Sequence, residues 1–278
     1  MSVKKYILNS MIWRFIGPIY YKYIRSSYDN YIGPFYYRIE NLVCRTRYRS
    51  KNKINPFDVP IIINNYNRLS YLLSLINSLE IRGYKNIYII DNDSTYPPLL
   101  EFYDKCKYKV FRLNKNIGFC SIWKTNIYSR FKHSYYVYTD SDMEIHKDCP
   151  DDFMEYFIKI LNKYPLCQKV GFGIKIDDIP DCYKMKDEVI EHEKKFWIKK
   201  LDDNLFDATI DTTFALYRPY SKGPANVLRL NIRTGFPYLI KHLPWYVDST
   251  NLSAEEKYYI NNTRKSTFWT IRSKDLQN

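Results

Sequence analysis

Between residues 58 and 142, short apolar runs alternate with stretches of helical period. "DVPIIINNYNR" (58–68) is apolar until it breaks at Asn64. "LSYLLSLINSLEIRG" (69–83) sets Leu72, Leu75, Ile76 and Leu79 on one face and stops at Gly83, which predicts a helix. "NIYIIDNDS" (86–94) is a second apolar run, ending at Asp91. "KYKVFRLNKNIG" (107–118) is a third, and "SYYVYTDSD" (134–142) a fourth that runs into Asp140-Ser141-Asp142. Apolar strands alternating with helical segments predict an α/β fold, a mostly parallel sheet flanked by helices. Ligands of such sheets sit beyond the carboxyl ends of the strands. Asn64, Asp91, Asn116 and Asp140 stand at or just after those ends, so they should gather along one edge.

After Asp142 the pattern loosens. "DDFMEYFIKILNKYP" (151–165) predicts an amphipathic helix and "KVGFGIKI" (169–176) a strand. A charged helix is expected through "DEVIEHEKKFWIKKL" (187–201). "ATIDTTFALYR" (208–218) reads as a strand with Asp211 inside it, and "VLRLNI" (227–232) as another. "FPYLIKHLPWY" (236–246) follows. "LSAEEKYY" (252–259) opens a helix, with Ser253 as cap and Glu256 three residues on. No break divides 56–278, so one domain is expected, with 56–146 and 147–278 as its two halves.

Charge changes the picture at the N-terminus. The formal net charge of the chain is +13. Residues 1–55 carry eleven Lys and Arg against Asp29 and Glu40, leaving the rest of the chain near neutral. A nucleic-acid binder would spread or stripe its cations over the fold, so no nucleic-acid partner is expected. A basic, aromatic arm beside a near-neutral body fits an anionic lipid surface instead. Within it "FIGPIYYK" (15–22) is echoed by "YIGPFYYR" (31–38), and each Pro is suited to open a short helix. Two readings stand: a helical arm packed on the main domain, or a foot on a membrane. "RSKNKINPFD" (49–58) is the linker. The six Cys show no CxxC spacing, so free thiols are expected rather than disulfides or zinc. No apolar run reaches the roughly 18 residues of a spanning helix, and no signal peptide is evident. The expected location is cytoplasmic, or peripheral at a membrane. Nothing in the sequence sets the oligomeric state.

The candidate chemistry begins at Asp140 and Asp142. Two carboxylates one residue apart on a turn can share a hard cation whose open positions take phosphate oxygens. That cation would stabilise a departing nucleoside diphosphate. The alternative is a solvated turn or a helix cap.

Four motifs in order, "VPIIINNYNRLSYLLSLINSL", "IYIIDNDST", "RLNKNIGF" and "YYVYTDSDMEI", resemble the nucleotide-binding half of GT-A-fold glycosyltransferases, particularly the family 2-like group. The resemblance spans about residues 58–146. It implies a Rossmann-like GT-A sheet, transfer of a sugar from a nucleotide-sugar donor (UDP- or GDP-linked), and Mn2+ or Mg2+. The acceptor would be a glycan or a lipid-linked molecule. By the same resemblance Asn64 and Arg68 line the nucleotide site, and Asp91 contacts the base with Asn92 and Ser94 completing its turn. Asn116 and Gly118 form the loop beside the nucleotide. Asp140 and Asp142 hold the metal, Asp142 directly. Ordinary turn chemistry is the alternative for Asn64, Asn116 and Gly118, and a solvated cation for Arg68.

An inverting member needs a base to take the acceptor proton. Asp211 is favoured because a carboxylate inside an apolar run is costly unless paired or functional; the alternative is a buried Asp tied to Thr212 or Thr213. Glu255 and Glu256 resemble paired acids that open a helix in such enzymes, against a role in capping it. His242 resembles the late His that reaches the metal, and imidazole suits Mn2+ better than Mg2+; otherwise it is structural, beside Trp245. Trp245 and Tyr246 would stack on a sugar or belong to the core. Two other readings remain. A sugar-phosphate nucleotidyltransferase would carry a Gly-rich loop after the first strand, where this chain has "NNYNRLS". A non-catalytic, basic membrane-surface or nucleic-acid-binding protein would rely on the arm.

Overall fold

A computed structural model describes residues 54–224 and 230–263, together with Ile39. The basic arm (1–55) therefore lies almost wholly outside the described residues, and so does the first half of the expected strand at 227–232.

The expected α/β class is present, as one sheet flanked by helices. Strands β1 (Ile61–Asn65), β2 (Ile87–Asp91), β3 (Lys109–Arg112) and β4 (Tyr136–Asp140) form its first half. They lie in the order β3-β2-β1-β4 and all pair in parallel. Helix α1 (Ser70–Glu80) follows β1 and buries Leu72, Leu75, Ile76 and Leu79, the face read from the sequence. Helix α2 (Pro97–Lys105) follows β2 and opens on two prolines, which suit a first turn because those amides lack helical partners. A 3-10 turn (Ser121–Lys124) and the short α3 (Tyr128–Phe131) lie between β3 and β4.

The second half is mixed rather than parallel. It comprises β5 (Met143–Ile145), α4 (Phe153–Lys163), β6 (Lys169–Ile174), α5 (Lys186–Lys194), β7 (Lys200–Asp202), β8 (Leu205–Asp207), β9 (Ala215–Tyr217), β10 (Asn231–His242) and α6 (Ala254–Asn262). The sheet continues from β4 through β9, β6, β10, β8 and β7, with β5 paired to β10. β9 is antiparallel to both β4 and β6, while β6 and β10 are parallel. The core fills both faces of the sheet: Phe153, Phe157, Phe172 and Phe214 on one, Tyr136, Tyr138 and Tyr217 on the other.

Three expectations change. The charged helix ends at Lys194 instead of reaching Leu201, and a hairpin of β7 and β8 follows. Asp202-Asp203-Asn204 supplies its turn chemistry, and pairing of β8 with β10 draws the chain out of the helix. The run at 208–218 is strand only over Ala215–Tyr217, so Asp211 precedes β9 in an irregular stretch, itself exposed between the buried Ile210 and Thr212. Asn231-Ile232 and the run from Phe236 to His242 belong to one strand, β10, whose register shifts between Thr234 and Leu239. Five described cysteines are free thiols. Among the described residues no helix is long and apolar enough to cross a membrane.

Candidate functional site

The carboxyl ends of β1, β2 and β4 open on a cleft of about 430 Å³. Asn64 and Arg68 from the β1 end, Asn92 from the β2 end and Asp140 with Asp142 after β4 line it. Asn116, Gly118, Phe119 and Lys124 close one side, and Tyr66 with Tyr259 and Thr263 another.

Neighbouring side chains fix these groups. Asn64 accepts a hydrogen bond from the Ser121 hydroxyl at 2.7 Å and points its amide at Asp140 Oδ1, 3.5 Å away. Asn92 donates to the carbonyl of Gly118 at 3.0 Å and accepts from the amide of Ile117 at 2.9 Å, holding that loop over the cleft. Asn116 accepts from the amide of Gly118 at 2.9 Å. Gly118 has φ +84°, a conformation that costs glycine little, and no atom lies within 4 Å of where a Cβ would stand. Asn67, also left-handed at φ 51°, accepts from the amides of Thr95 and Tyr96 and ties the β1 and β2 ends together.

Asp140 has both oxygens engaged. Thr212 donates to Oδ2 at 2.5 Å, Asn64 approaches Oδ1, and the Asp140 amide donates to the Thr212 carbonyl at 2.9 Å. Burial first, and then the Asp142 carboxylate, push the Asp140 carboxyl well above its usual range. Asp142 differs. Its Oδ2 lies 3.5 Å from Nε2 of His242, and its Oδ1 is buried without a partner among the described residues. Burial works to raise its carboxyl, but His242, by charge and hydrogen bonding, and Arg68 outweigh that and hold it below the usual range. The pairing of β5 with β10 sets His242 opposite Met143 and brings it to Asp142, and the Leu243 amide donates to the Asp142 carbonyl at 2.9 Å.

The donor set fits a divalent cation held partly by the protein. Among the described residues no three His, Cys, Asp or Glu side chains converge as a complete cage. Asp142 and His242 form a pair with an unsatisfied carboxylate oxygen, and a buried polar atom of that kind calls for a partner. A cation there would take its remaining positions from a ligand's oxygens.

Arg68, Glu255 and Glu256 meet at the other wall. Arg68 is buried and forms a two-pronged ion pair with Glu256, its Nη2 at 3.0 Å from Oε1. Its guanidinium lies 3.6 Å over the Tyr259 ring and 4.8 Å from that of Tyr71. Burial works to lower its pKa, but Glu256 outweighs it, so Arg68 stays charged. Glu255 accepts from the Ser70 amide at 3.1 Å and the Ser70 hydroxyl at 2.9 Å. Helix α1 has Leu69 at its N-cap and no side-chain cap of its own. The carboxylate of Glu255 supplies one from α6, where the helix dipole favours negative charge. Ser253 caps α6 itself through the Glu256 amide, as the sequence indicated.

The structure thus gathers Asn64, Arg68, Asn92, Asn116, Gly118, Asp140 and Asp142 in one cleft, with His242 beside Asp142 and Glu256 on Arg68. Asp91 does not line that cleft. It is fully buried beneath it, accepting from the Ser94 amide at 3.3 Å and from the Tyr103 hydroxyl at 3.3 Å. Glu255 is engaged with Ser70 rather than facing the cleft. Asp211 is exposed, so the buried-carboxylate argument that singled it out does not hold, although it sits near enough to act electrostatically on Asp140. Trp245 is core, 2% exposed and 4.6 Å from the His242 ring, and Tyr246 donates to Asp178. Sequence reasoning missed Asn67, Ser121 and Tyr259, and set Thr212 beside Asp211 where its hydroxyl instead donates to Asp140. Only Asn67 carried a local signal, as an Asn in a turn.

No protein-family model matches the chain, and no curated protein matches it. Several solved structures are similar to it. TarS 1-349 of S. aureus is 14% identical with a TM-score of 0.41, over 77% of this chain and 77% of that one. TarS 1-349 in complex with UDP is 14% identical with a TM-score of 0.41, over 73% and 68%. GalNAc-T7 with UDP, GalNAc and Mn2+ is 13% identical with a TM-score of 0.45, over 69% of this chain and 44% of that one. The chain thus spans less than half the length of the GalNAc-T7 chain.

Proposed function

We propose that the chain is a metal-dependent glycosyltransferase that moves a sugar from a UDP- or GDP-linked donor to a hydroxyl of a glycan or lipid-linked acceptor. The observation that carries this reading is Asp142: a carboxylate at a strand end, braced by His242, with one buried oxygen unsatisfied in a cleft that Arg68 also lines. Asp142 and His242 would hold Mn2+ or Mg2+, with Asp140 alongside. That cation would stabilise the charge on the departing diphosphate. Asn64, Arg68, Asn92, Asn116 and Gly118 shape the nucleotide end.

Asp211 is the base in this reading. Glu256 is bound by Arg68 and Glu255 by Ser70, whereas no hydrogen bond or ion pair holds the Asp211 carboxylate among the described residues. Asp211 takes the acceptor proton as the acceptor oxygen bonds to the anomeric carbon. The bond from that carbon to the phosphate oxygen breaks, and its electron pair leaves with the nucleoside diphosphate. The sugar is thereby inverted.

A thermal-shift panel of UDP, GDP, CDP and dTDP, each with and without Mn2+, tests the reading, because a ligand of the native state raises the melting temperature. One nucleotide should stabilise the protein in a Mn2+-dependent way, and Asp142→Ala should remove the effect. No shift with any nucleotide refutes the reading.

A further inference from the structure

Lys169 is the first residue of β6 and is fully buried, at 0% exposure. An ammonium taken out of water is costly unless it gains strong hydrogen bonds, so its contacts show what the fold obtains from it. Its Nζ donates to the backbone carbonyl of Asp211 at 3.2 Å and to the Tyr217 hydroxyl at 2.9 Å, and it lies 4.8 Å from the Tyr217 ring. Tyr217 faces Lys169 across the β6–β9 pair. The ammonium thus joins the end of β9 to the loop that leads into it.

A second observation on the same strand concerns the same loop. A Cβ on Gly171 would stand 2.5 Å from the carbonyl oxygen of Phe214 and 3.1 Å from Cδ1 of Ile210. A contact of 2.5 Å to a backbone oxygen does not occur, so the segment ending at Phe214 lies against β6 because Gly171 has no side chain. Lys169 and Gly171 are two apart and therefore share a face of the strand. One holds the loop by donating to it and the other by leaving it room. From that seat Thr212 reaches Asp140, and the Asp211 carboxylate stays outside, exposed.

We propose that Lys169 is a positioning residue for Asp211, setting the loop from which that carboxylate meets the acceptor. The inference rests on the reading of Asp211 as the base. Asp140 has Asn64 as a further partner, so loss of the ammonium should disturb the transfer step more than donor binding.

The test compares wild type, Lys169→Met and Lys169→Arg. The substrate is the sugar donor of whichever nucleoside diphosphate stabilises the wild type with Mn2+, and the reaction is its slow hydrolysis. The Met variant should lower kcat tenfold or more while KM stays within about threefold, and Arg, which retains donors, should recover most of the rate. Hydrogen exchange of residues 209–213 should quicken in the Met variant, with β1 to β3 unchanged. An unchanged kcat overturns the proposal. So does a Met variant that loses its fold, or whose KM and melting temperature move together, because Lys169 then serves stability alone. If no nucleotide stabilises the wild type, the glycosyltransferase reading fails. Exchange at 209–213 still reports then whether Lys169 holds the loop.

Discussion

Nε2 of His242 lies 3.5 Å from Oδ2 of Asp142, and the other oxygen of that carboxylate is buried without a partner. The two residues are far apart in sequence and meet because the three-residue strand β5 pairs with the end of β10. The same pairing fixes the Asp142 backbone through Leu243. Asp142 is therefore held by main chain on one side and imidazole on the other, with one oxygen left for a ligand.

His242→Ala should leave the fold intact and weaken Mn2+ affinity by at least about 10–100-fold, the loss typical of a partner that only orients a ligand, because His242 itself is a ligand in this reading. Titration of Mn2+ against the nucleotide-induced thermal shift measures it. Wild-type Mn2+ affinity in the variant would show that His242 only packs beside Trp245.

Asp211→Asn should retain Mn2+-dependent nucleotide binding and lower transfer by about 10²–10⁴-fold, the usual contribution of a general base. Glu255→Gln should change the rate little, because that carboxylate faces Ser70. Steady-state rates with the matched donor decide between them. A larger loss in the Glu255 variant would move the base to α6.

Glu256→Ala should destabilise the protein by about 3–5 kcal/mol, because it strands a buried guanidinium. Glu255→Ala should cost about 1 kcal/mol, the usual worth of a helix cap. Urea unfolding of both variants tests the order, and equal losses would contradict it.

Asp91 gives a pH signature. Burial first raises its carboxyl pKa above the usual value, against opposing hydrogen bonds and Arg112. The folded protein therefore binds this proton more tightly than the unfolded chain does. Its contribution to stability is present below the unfolded value and falls as pH rises toward the folded one. Asp91→Asn should flatten that part of the acid stability curve, and an unaltered slope would refute the assignment.

Removal of residues 1–50 should move the protein from the membrane fraction to the soluble one if the basic arm binds anionic lipid. Unchanged fractionation would leave the arm a role on the protein itself.

The first half of the fold was legible because its signals are local. Apolar runs ending at Asn64, Asp91 and Asp140 mark strand ends, and parallel strands with helical crossovers must bring those ends to one edge. The period of Leu72, Leu75, Ile76 and Leu79 fixed the buried face of α1 in the same way. The second half was less legible because its pairing is long-range and antiparallel. Nothing near residue 211 says that β9 starts only at Ala215, and the apolar neighbours of Asp211 face the sheet while its own carboxylate does not. The sequence by itself determined which residue types stand at the strand ends, and hence the cleft and its pair of acids. Only the tertiary structure decided which acids are free. Arg68 takes Glu256 and Ser70 takes Glu255, through contacts between side chains too distant in sequence for any local pattern to announce.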